Sequence, residues 1–206
     1  FLYFIEELFN FRVSVVQGRY EHSAMSCIRD FSFGDLLEFN FVNLDQLTET
    51  YSTNFYGEYL THWPEYQKCV RHPNGLIMGY CLGKVEGDGE DWHGHVSAVT
   101  VAPTFRRLGL GEQLMDELER TSEEIHDAYF VDLFVRDSNR IAQEMYARLG
   151  YIQYRRVLGY YRAGGAFSND EDAIDMRKAL ARNATRSRSC VIPLEKPIKP
   201  QELEWH

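Results

Sequence analysis

The sequence lacks the features that mark disulfide-rich, zinc-binding or membrane-spanning proteins. Its few cysteines are scattered, with no C-x-x-C spacing, and no apolar run is long enough to span a bilayer. This pattern argues against a disulfide framework or a cysteine-based zinc site, and it favours thiols in a reducing compartment. We therefore expect a cytoplasmic protein with no membrane partner. The four cysteines are Cys27, Cys69, Cys81 and Cys190.

Positive charge is also scarce. The chain has 22 lysines and arginines against 31 acidic residues, which gives a formal net charge of −9. Neutralising the phosphates of a nucleic acid requires basic patches, so we expect no direct nucleic-acid partner. The basic residues between 177 and 188 are interpreted as a solvated helix end.

The length and the distribution of residue types predict one domain with two flanking segments. A chain of 206 residues is long enough for one core. Residues 1–24 begin with an aromatic stretch that contains two acids, and they lack the basic start and the cleavage site of a signal peptide. We treat them as an N-terminal extension of unassigned role. The domain is expected over 25–181, and the proline-containing segment 182–206 is expected to be an extended tail that packs on a partner.

The hydrophobic pattern of residues 25–181 predicts an α/β fold. Apolar runs and alternating residues indicate strands, and apolar residues at helical spacing indicate helices. The predicted order along the chain is β-α-α-β-β-β-α-β-α-β-β. The predicted strands are 27–31, 67–71, 76–85, 93–101, 129–135, 152–158 and 173–178, and the predicted helices are 33–44, 55–66, 110–126 and 139–149.

The most informative motif is the R-x-x-G-x-G loop of residues 106–111. It follows a β-branched strand and a proline-containing turn, and it opens directly into a helix. Its glycines allow the backbone to approach a ligand closely, and the N–H groups of the helix end attract anions such as a pyrophosphate. Arg106 and Arg107 add charge-assisted donors. A Rossmann dinucleotide loop is a poor alternative, because it requires G-x-G-x-x-G spacing near the start of a βαβ unit.

A second strand–helix segment follows at residues 130–151. Its hydrophobic strand ends at Val135, and Ser138 or Asn139 can cap a helix that runs to Leu149. In this order, the two segments resemble the acetyl-CoA-binding core of the GNAT superfamily of N-acetyltransferases. The resemblance implies the GNAT acyl-CoA N-acyltransferase fold, which is a mixed central sheet with a splayed β4/β5 pair (here 93–101 and 129–135) and flanking helices.

The same resemblance implies acetyl-CoA as the cosubstrate and assigns residues to it. The pyrophosphate is expected at the Arg/Gly loop, and backbone groups around Val99 and Val101 are expected along the pantetheine arm. Tyr146 takes the place of the phenol that donates to the CoA sulfur. From the residues alone, Tyr146 is more simply a core aromatic of an amphipathic helix. The expected cofactor-binding residues are Val99, Val101, Arg106, Arg107, Leu108, Gly109, Leu110, Gly111 and Asn139.

The acceptor-side segments resemble those of the catalytic subunits of NatB, a type of eukaryotic N-terminal acetyltransferase. The similar segments are 43–51, 54–66, 91–96 and 160–161. This resemblance implies acetylation of nascent polypeptide N-termini that keep Met and have Asp, Glu, Asn or Gln next. It also implies a helical-repeat auxiliary subunit that places the enzyme at the ribosome. The expected substrate-binding residues are Glu49, Tyr51, His95, Tyr160 and Tyr161.

The chemistry of a peptide α-amine is compatible with this interpretation. An α-amine has a pKa of about 8, so part of it is neutral near pH 7 and can attack the thioester directly. The enzyme then has to position the reactants and provide a place for a proton. His95 is the titratable candidate, either to take the amine proton through water or to donate to the acidic second residue of the substrate.

A metal site is a further interpretation of the histidines. His93 and His95 lie two apart on a predicted strand, so both face one side. No third ligand stands out in the sequence. We therefore expect no metal, and a structural role for histidine is the simpler interpretation.

Two alternatives remain open. The first is a GNAT enzyme that acts on another peptide, on a lysine side chain or on a small-molecule amine. A lysine, with a pKa of about 10.4, would require a stronger base, and Asp132 is the only carboxylate in the central strands. The second is a GNAT domain without catalysis that serves as a binding module. The intact Arg/Gly loop and Tyr146 argue against the second.

Overall fold

The computed structural model describes residues 27–44, 48–162, 170–184 and 189–203. The predicted N-terminal extension lies outside these residues. The described strands are β1 (Cys27–Asp30), β2 (Lys68–Arg71), β3 (Ile77–Glu86), β4 (His93–Val101), β5 (Phe130–Arg136), β6 (Ile152–Tyr161) and β7 (Glu171–Ala179). They form one mixed sheet in the order β1-β2-β3-β4-β5-β7-β6.

The sheet opens between its two central strands. β4 and β5 are parallel, and they pair only from His93 opposite Phe130 to Val96 opposite Leu133. A bulge at Ser97 marks the point of separation. Beyond it, β4 continues along β3 and β5 continues along β7, so the two strands diverge. The splayed β4/β5 pair that the GNAT resemblance implies is confirmed.

Helices cover the two faces of the sheet. The described α-helices are α1 (Asn40–Asn43), α2 (Thr53–His62), α3 (Leu110–Glu124) and α4 (Arg140–Arg148). On one face of the sheet, Met115 and Leu118 from the apolar side of α3 are buried in the same cluster as Tyr146 of α4. An aromatic cluster that includes Tyr56 and Tyr59 of α2 covers the other face of the N-terminal half. Within the described residues, no helix is both long and apolar enough to cross a membrane.

The predicted helix over 33–44 is wrong, because the segment forms a 3-10 helix (Phe33–Leu37) followed by the short α1. The buried carboxylate of Asp35 explains the interruption. It accepts the Ser32 backbone N–H at 2.7 Å, and it forms ion pairs with Arg29 at 2.5 Å and Arg71 at 2.7 Å. These bonds tie the turn to β1 and β2, so tertiary contacts override the helical spacing of the apolar residues.

Several element boundaries also differ from the prediction, most of all those of α2 and β6. The helix predicted over 55–66 begins earlier, after the N-cap Ser52, and it ends before Pro64, which starts a separate 3-10 turn. Strand β6 continues to Tyr161, past the predicted end at residue 158. Tyr160 and Tyr161 are therefore strand residues, whereas the predicted strands left them outside.

Within the described part of the C-terminal tail, residues 189–203 pack on the chain's own sheet. Cys190 and Val191 are buried against Phe130. Ile198 forms a parallel bridge with Val157 and extends the sheet beyond β6. This segment therefore contributes to the core behind β5 and β7.

Candidate active site

The opening between β4 and β5 is the place where the two faces of the sheet meet. From Ser97 to Val101, β4 pairs with β3 but not with β5, so backbone groups on its free side can bond to a ligand. Val99 and Val101 lie in this part, half-buried against Leu110 and Leu114 of α3. The structure thus places these two predicted residues beside the Arg/Gly loop.

The Arg/Gly loop has the conformation that an anion site requires. Gly109 is the N-cap of α3 and has φ +77°, a left-handed conformation that favours glycine. The first backbone bond of the helix joins the Gln113 N–H to the Gly109 carbonyl at 3.1 Å. The N–H groups of Leu110 and Gly111 precede it and have no helical acceptor. They are available to a phosphate oxygen.

The positive charges of this loop are held at the edge of β4. The Nε of Arg106 donates to the Val101 carbonyl at 3.0 Å, and residues 106–109 are exposed to solvent. Arg107 adopts φ +68°, which turns the chain into the helix. The donors, the cations and the helix N-terminus together fit a pyrophosphate, so the loop would hold that part of acetyl-CoA.

Tyr146 lies on α4, on the same face of the sheet as this loop. Its side chain is only 7% exposed, and its ring packs against Tyr151 at a centroid distance of 5.8 Å. Among the described residues, no hydrogen-bond partner is found for its hydroxyl group. Burial raises the pKa of Tyr146 to about 12, so the phenol stays protonated at neutral pH. Its hydroxyl is therefore a protonated donor that no described residue engages.

Asn139 has a clear structural task. Its Oδ1 accepts the Ala142 N–H at 3.2 Å and so caps α4. Gln143 supports the same junction, because its Nε2 donates to the carbonyls of Arg136 and Asp137. The sequence assigned Asn139 to the cofactor. In the structure its Oδ1 caps α4, and a contact of its other side-chain and backbone groups with acetyl-CoA stays a prediction.

On the opposite face, His95 occupies the end of the parallel pairing. It lies opposite Asp132 of β5, and its Nδ1 is 2.7 Å from the Asp132 Oδ1. Both side chains are buried, and the Glu86 Oε1 is 3.7 Å from the same nitrogen. Burial by itself would lower the pKa of His95, but the charges of Asp132 and Glu86 outweigh it and raise the pKa.

Asp132 is ionised in this environment. Burial by itself would raise its pKa, but the neighbouring His93 and His95 and the more distant Arg177 hold the pKa well below its usual range. Glu86, at the end of β3, is in turn ion-paired with Lys84. The sequence analysis missed Glu86, because the predicted strand stopped one residue before it. The hairpin register, which pairs Glu86 with His93, is the signal that could have found it.

The same cluster contains the third possible metal ligand that was not evident from the sequence. Glu86, His93 and His95 each offer one ligand atom, and these atoms lie within 4.8 Å of one another. The His95 Nδ1, however, is in direct hydrogen-bond contact with Asp132, and the His93 Nδ1 is bonded to the Asp91 carbonyl. A cation bound through the His95 Nδ1 would have to displace this bond to Asp132. The geometry favours a hydrogen-bonded cluster.

Residues 48–51 cross the opening and contact both diverging strands. On the β4 side, the Tyr51 hydroxyl donates to the Ser97 carbonyl at 3.0 Å. On the β5 side, the Glu49 Oε1 accepts from the Nε of Arg136 at 3.0 Å, and Arg136 also bonds to Glu171 at 2.9 Å. Glu49, which was predicted to bind the substrate, is therefore ion-paired at the rim of the opening. Arg136 was not anticipated from the sequence.

Aromatic residues of β5 and β6 line the region next to His95. Phe134 lies 5.8 Å from the His95 ring, and Tyr160 stacks on Phe134 at 4.7 Å. The Tyr161 hydroxyl donates to the Phe134 carbonyl at 3.0 Å. On the side of α2, the Tyr59 hydroxyl is 2.7 Å from the Ser97 Oγ. Together these groups form a polar and aromatic region beside His95, referred to below as the pocket around His95. Tyr59, Ser97 and Phe134 were missed because tertiary packing brings them together from distant parts of the chain.

The sequence profile described as "Acetyltransferase (GNAT) family" matches residues 36–151. The match covers more than half of the chain, including the Arg/Gly loop, His95 and Tyr146. The chain belongs to the GNAT acetyltransferase family. Acetyl-CoA is therefore the acetyl donor of this GNAT enzyme, in agreement with the loop geometry.

Curated relatives of this GNAT enzyme are N-terminal acetyltransferases. A Leishmania donovani protein named "N-terminal acetyltransferase complex ARD1 subunit homolog" is 64% identical over 185 residues, covering 88% of this chain and 100% of the relative. The NatB catalytic subunit NAA20 of Arabidopsis thaliana is 55% identical over 181 residues, covering 88% and 99%. The NatA catalytic subunit NAA10 of the same plant is 38% identical over 157 residues, covering 76% and 79%.

A solved structure gives the same result for the fold. The crystal structure of Chaetomium thermophilum Naa20 in complex with a bisubstrate analogue aligns with a TM-score of 0.79 and 36% identity. The alignment covers 87% of this GNAT enzyme and 100% of the other chain.

Proposed function

We propose that this enzyme is the catalytic subunit of a NatB-type N-terminal acetyltransferase, which transfers acetyl from acetyl-CoA to the α-amine of Met-Asp, Met-Glu, Met-Asn and Met-Gln N-termini. The observation that carries the proposal is a difference in sequence identity to two Arabidopsis thaliana enzymes. This chain is 55% identical to the NatB catalytic subunit and 38% identical to the NatA catalytic subunit. The pocket around His95 supports it, because it offers several polar groups to a polar second residue.

In the proposed reaction, the two substrates meet at the opening between β4 and β5. Acetyl-CoA binds on the side of α3 and α4, and the peptide enters from the side of α2 and β6. The neutral amine attacks the thioester carbon, a C–N bond forms, and the C–S bond breaks. The amine proton passes to the Nε2 of His95 through water, because Asp132 occupies the Nδ1 side of the ring.

Tyr146 stabilises the departing sulfur in this scheme by donating a hydrogen bond. Its pKa of about 12 is well above that of an ordinary thiol, which is about 8.5, so complete transfer of the phenolic proton to the thiolate would be uphill. The hydrogen bond itself is strongest when negative charge develops on sulfur. CoA then leaves as a thiolate and is protonated by solvent.

The specificity of the pocket gives the test of this proposal. Polar groups in a partly desolvated pocket lose their partners when the second residue is apolar, which costs about 1–3 kcal/mol for each unpaired group. We expect kcat/KM for Met-Asp and Met-Glu peptides to exceed that for Met-Leu by about 100-fold. His95→Ala should reduce this ratio. The measurement is steady-state acetylation of the peptides by the enzyme with its auxiliary chain.

A Ser-Glu peptide serves as the control for the first position, since it keeps the acidic second residue and lacks Met. If the wild-type enzyme acetylated Met-Leu or Ser-Glu as fast as Met-Asp, NatB-type specificity would be excluded. The assignment to the GNAT family would be unaffected.

An exposed apolar stripe supports the auxiliary subunit as a partner. Leu37 is 84% exposed and Leu44 is 86% exposed, and Phe33 and Phe41 extend the same segment. Such a cluster of large exposed hydrophobic residues is typical of a protein interface. A relative has been solved as "The NatB Acetyltransferase Complex" with a bisubstrate inhibitor, which supports a complex here too. We assign the stripe to the auxiliary subunit, which would also provide the link to the ribosome in the cytoplasm.

Charge placed on this stripe is expected to prevent assembly. The double variant Leu37→Glu/Leu44→Glu should no longer co-elute with the auxiliary chain in size-exclusion chromatography, because two carboxylates would be buried without partners. Ile141→Glu is the matched control, since Ile141 is 79% exposed on α4, outside the stripe. A double variant that assembled as well as the control would place the interface elsewhere.

The alternative acceptors are less well supported. A lysine acceptor would need a strong base, but the pKa of Asp132 is held low, and its carboxylate is engaged by His95. Asp132 is therefore not suited to take a proton from an ammonium of high pKa.

A further inference from the structure

The buried carboxylate of Asp132 has no direct part in the proposed reaction, yet it is the closest charged group to His95. It is 4% exposed, and its Oδ1 is 2.7 Å from the His95 Nδ1. A carboxylate oxygen is only an acceptor when ionised. The His95 Nδ1 must therefore carry the proton of this bond, which leaves Nε2 with the free lone pair.

Asp132 is held ionised by a network that reaches the back of the sheet. It lies opposite Arg177 in the pairing of β5 with β7. Arg177 is itself buried, and its Nη1 donates to the carbonyl of Cys190 in the C-terminal tail at 2.8 Å. Arg177 also pairs with Asp175 at 3.3 Å, and Arg155 pairs with the same carboxylate at 3.0 Å. The cations outnumber Asp175, so positive charge remains to balance Asp132.

We propose that Asp132 is a positioning residue for the acetyl transfer: it fixes the ring and the tautomer of His95 so that Nε2 faces the acceptor amine. This inference rests on the proposed function for the role of His95. The arrangement is that of a carboxylate that orients an imidazole and stabilises the imidazolium formed on proton transfer. Substituting an amide for the carboxylate removes the charge and allows an N–H group to face Nδ1, which would favour the unproductive tautomer.

Other charged groups face His95, and they define the comparison variants. Glu86 is 3.7 Å from Nδ1 and is paired with Lys84 on the same strand. His93 lies on β4 itself, with its Nε2 3.6 Å from the Asp132 Oδ1. Glu86→Gln removes a second negative charge close to His95 but leaves the hydrogen bond that His95 donates to Asp132 in place. It therefore separates a general effect of charge from the positioning effect.

The test combines kinetics with NMR on the full-length protein and its auxiliary chain. In the kinetic part, Asp132→Asn should lower kcat for a Met-Asp peptide by about 100-fold and leave KM for acetyl-CoA within about twofold. In a His95→Asn background, the same substitution should have almost no further effect, because its action passes through His95. Glu86→Gln should lower kcat much less.

The NMR part uses ¹⁵N-labelled histidine in the free enzyme and does not depend on the acceptor. His95 of the wild type should carry its proton on Nδ1 when neutral. Its pKa should be above the usual value and should fall by about one unit or more in Asp132→Asn. The rise of kcat/KM with pH should move to lower pH in parallel, since the base must be neutral to accept a proton.

Additive effects of the two substitutions, or a wild-type His95 protonated on Nε2, would overturn the proposal. The wild-type measurement decides the question even if Asp132→Asn does not fold. If the positioning results hold but Met-Leu peptides are acetylated as fast as Met-Asp, the proposed specificity is wrong and the role of Asp132 stands.

Discussion

Tyr146→Phe is expected to lower kcat by about 100-fold while the affinity for acetyl-CoA and the free energy of unfolding change little. The substitution removes one donor to the developing negative charge on sulfur, and loss of a single such donor typically costs about 100- to 1000-fold in kcat. The ring contact with Tyr151 is retained, and no described residue bonds to the hydroxyl. Steady-state kinetics, calorimetry with acetyl-CoA and thermal unfolding provide the three readouts.

Tyr151→Phe is the matched control for this prediction. It removes the buried hydroxyl of the other ring of this pair, which lies beside Glu119. We expect its kcat to stay within about twofold of the wild type. If Tyr146→Phe altered only stability, with kcat intact, Tyr146 would be a core residue without a part in the chemistry.

The double variant Gly109→Val/Gly111→Val is expected to weaken acetyl-CoA binding by at least about 100-fold. Gly109 has φ +77°, which a β-branched residue adopts only with strain, so the loop must shift away from the ligand. At Gly111, a Cβ would already lie 3.4 Å from the Met145 sulfur. Each hydrogen bond to a charged group contributes about 1.5–3 kcal/mol, and loss of two corresponds to about 100-fold or more. Isothermal titration calorimetry measures the effect.

Gly75→Val provides a control for backbone strain. Gly75 has φ +94° in the hairpin turn between β2 and β3, and a Cβ there would meet nothing within 4 Å. It should therefore lower the free energy of unfolding without changing the affinity for acetyl-CoA. A folded double variant that bound acetyl-CoA with an unchanged Kd would refute the assignment of the loop.

The features that could be predicted from the sequence are those encoded by neighbouring residues. The Arg/Gly loop is one, because glycine at 109 and a following helix suffice to form an anion site. The position of Tyr146 on α4 is another, since helical spacing gives its face. Where a distant contact competes with local spacing, prediction failed, as it did around Asp35, whose ion pairs with Arg29 and Arg71 replaced a regular helix.

The pocket around His95 could not be predicted from the sequence, because it depends on contacts between distant residues. His95 was identified as a candidate, but its partners come from three other strands and depend on register. A shift of one residue in the pairing of β4 with β5 would turn Asp132 away from His95. Likewise, the ion pair of Glu49 with Arg136 joins residues 87 positions apart, and no local pattern indicates it.

By itself, the sequence determined the superfamily and the acetyl donor, because the motifs that carry them depend on short-range backbone conformation in one loop and one helix; the residues that receive the donor are predicted from the same motifs. The tertiary structure decided the environment of the acceptor amine. It set which side of the His95 ring is occupied, which carboxylates are ionised, and how the tail closes the sheet behind them. The physical reason is that burial and charge at a site are properties of everything packed around it, and the packing is known only once the strands have paired.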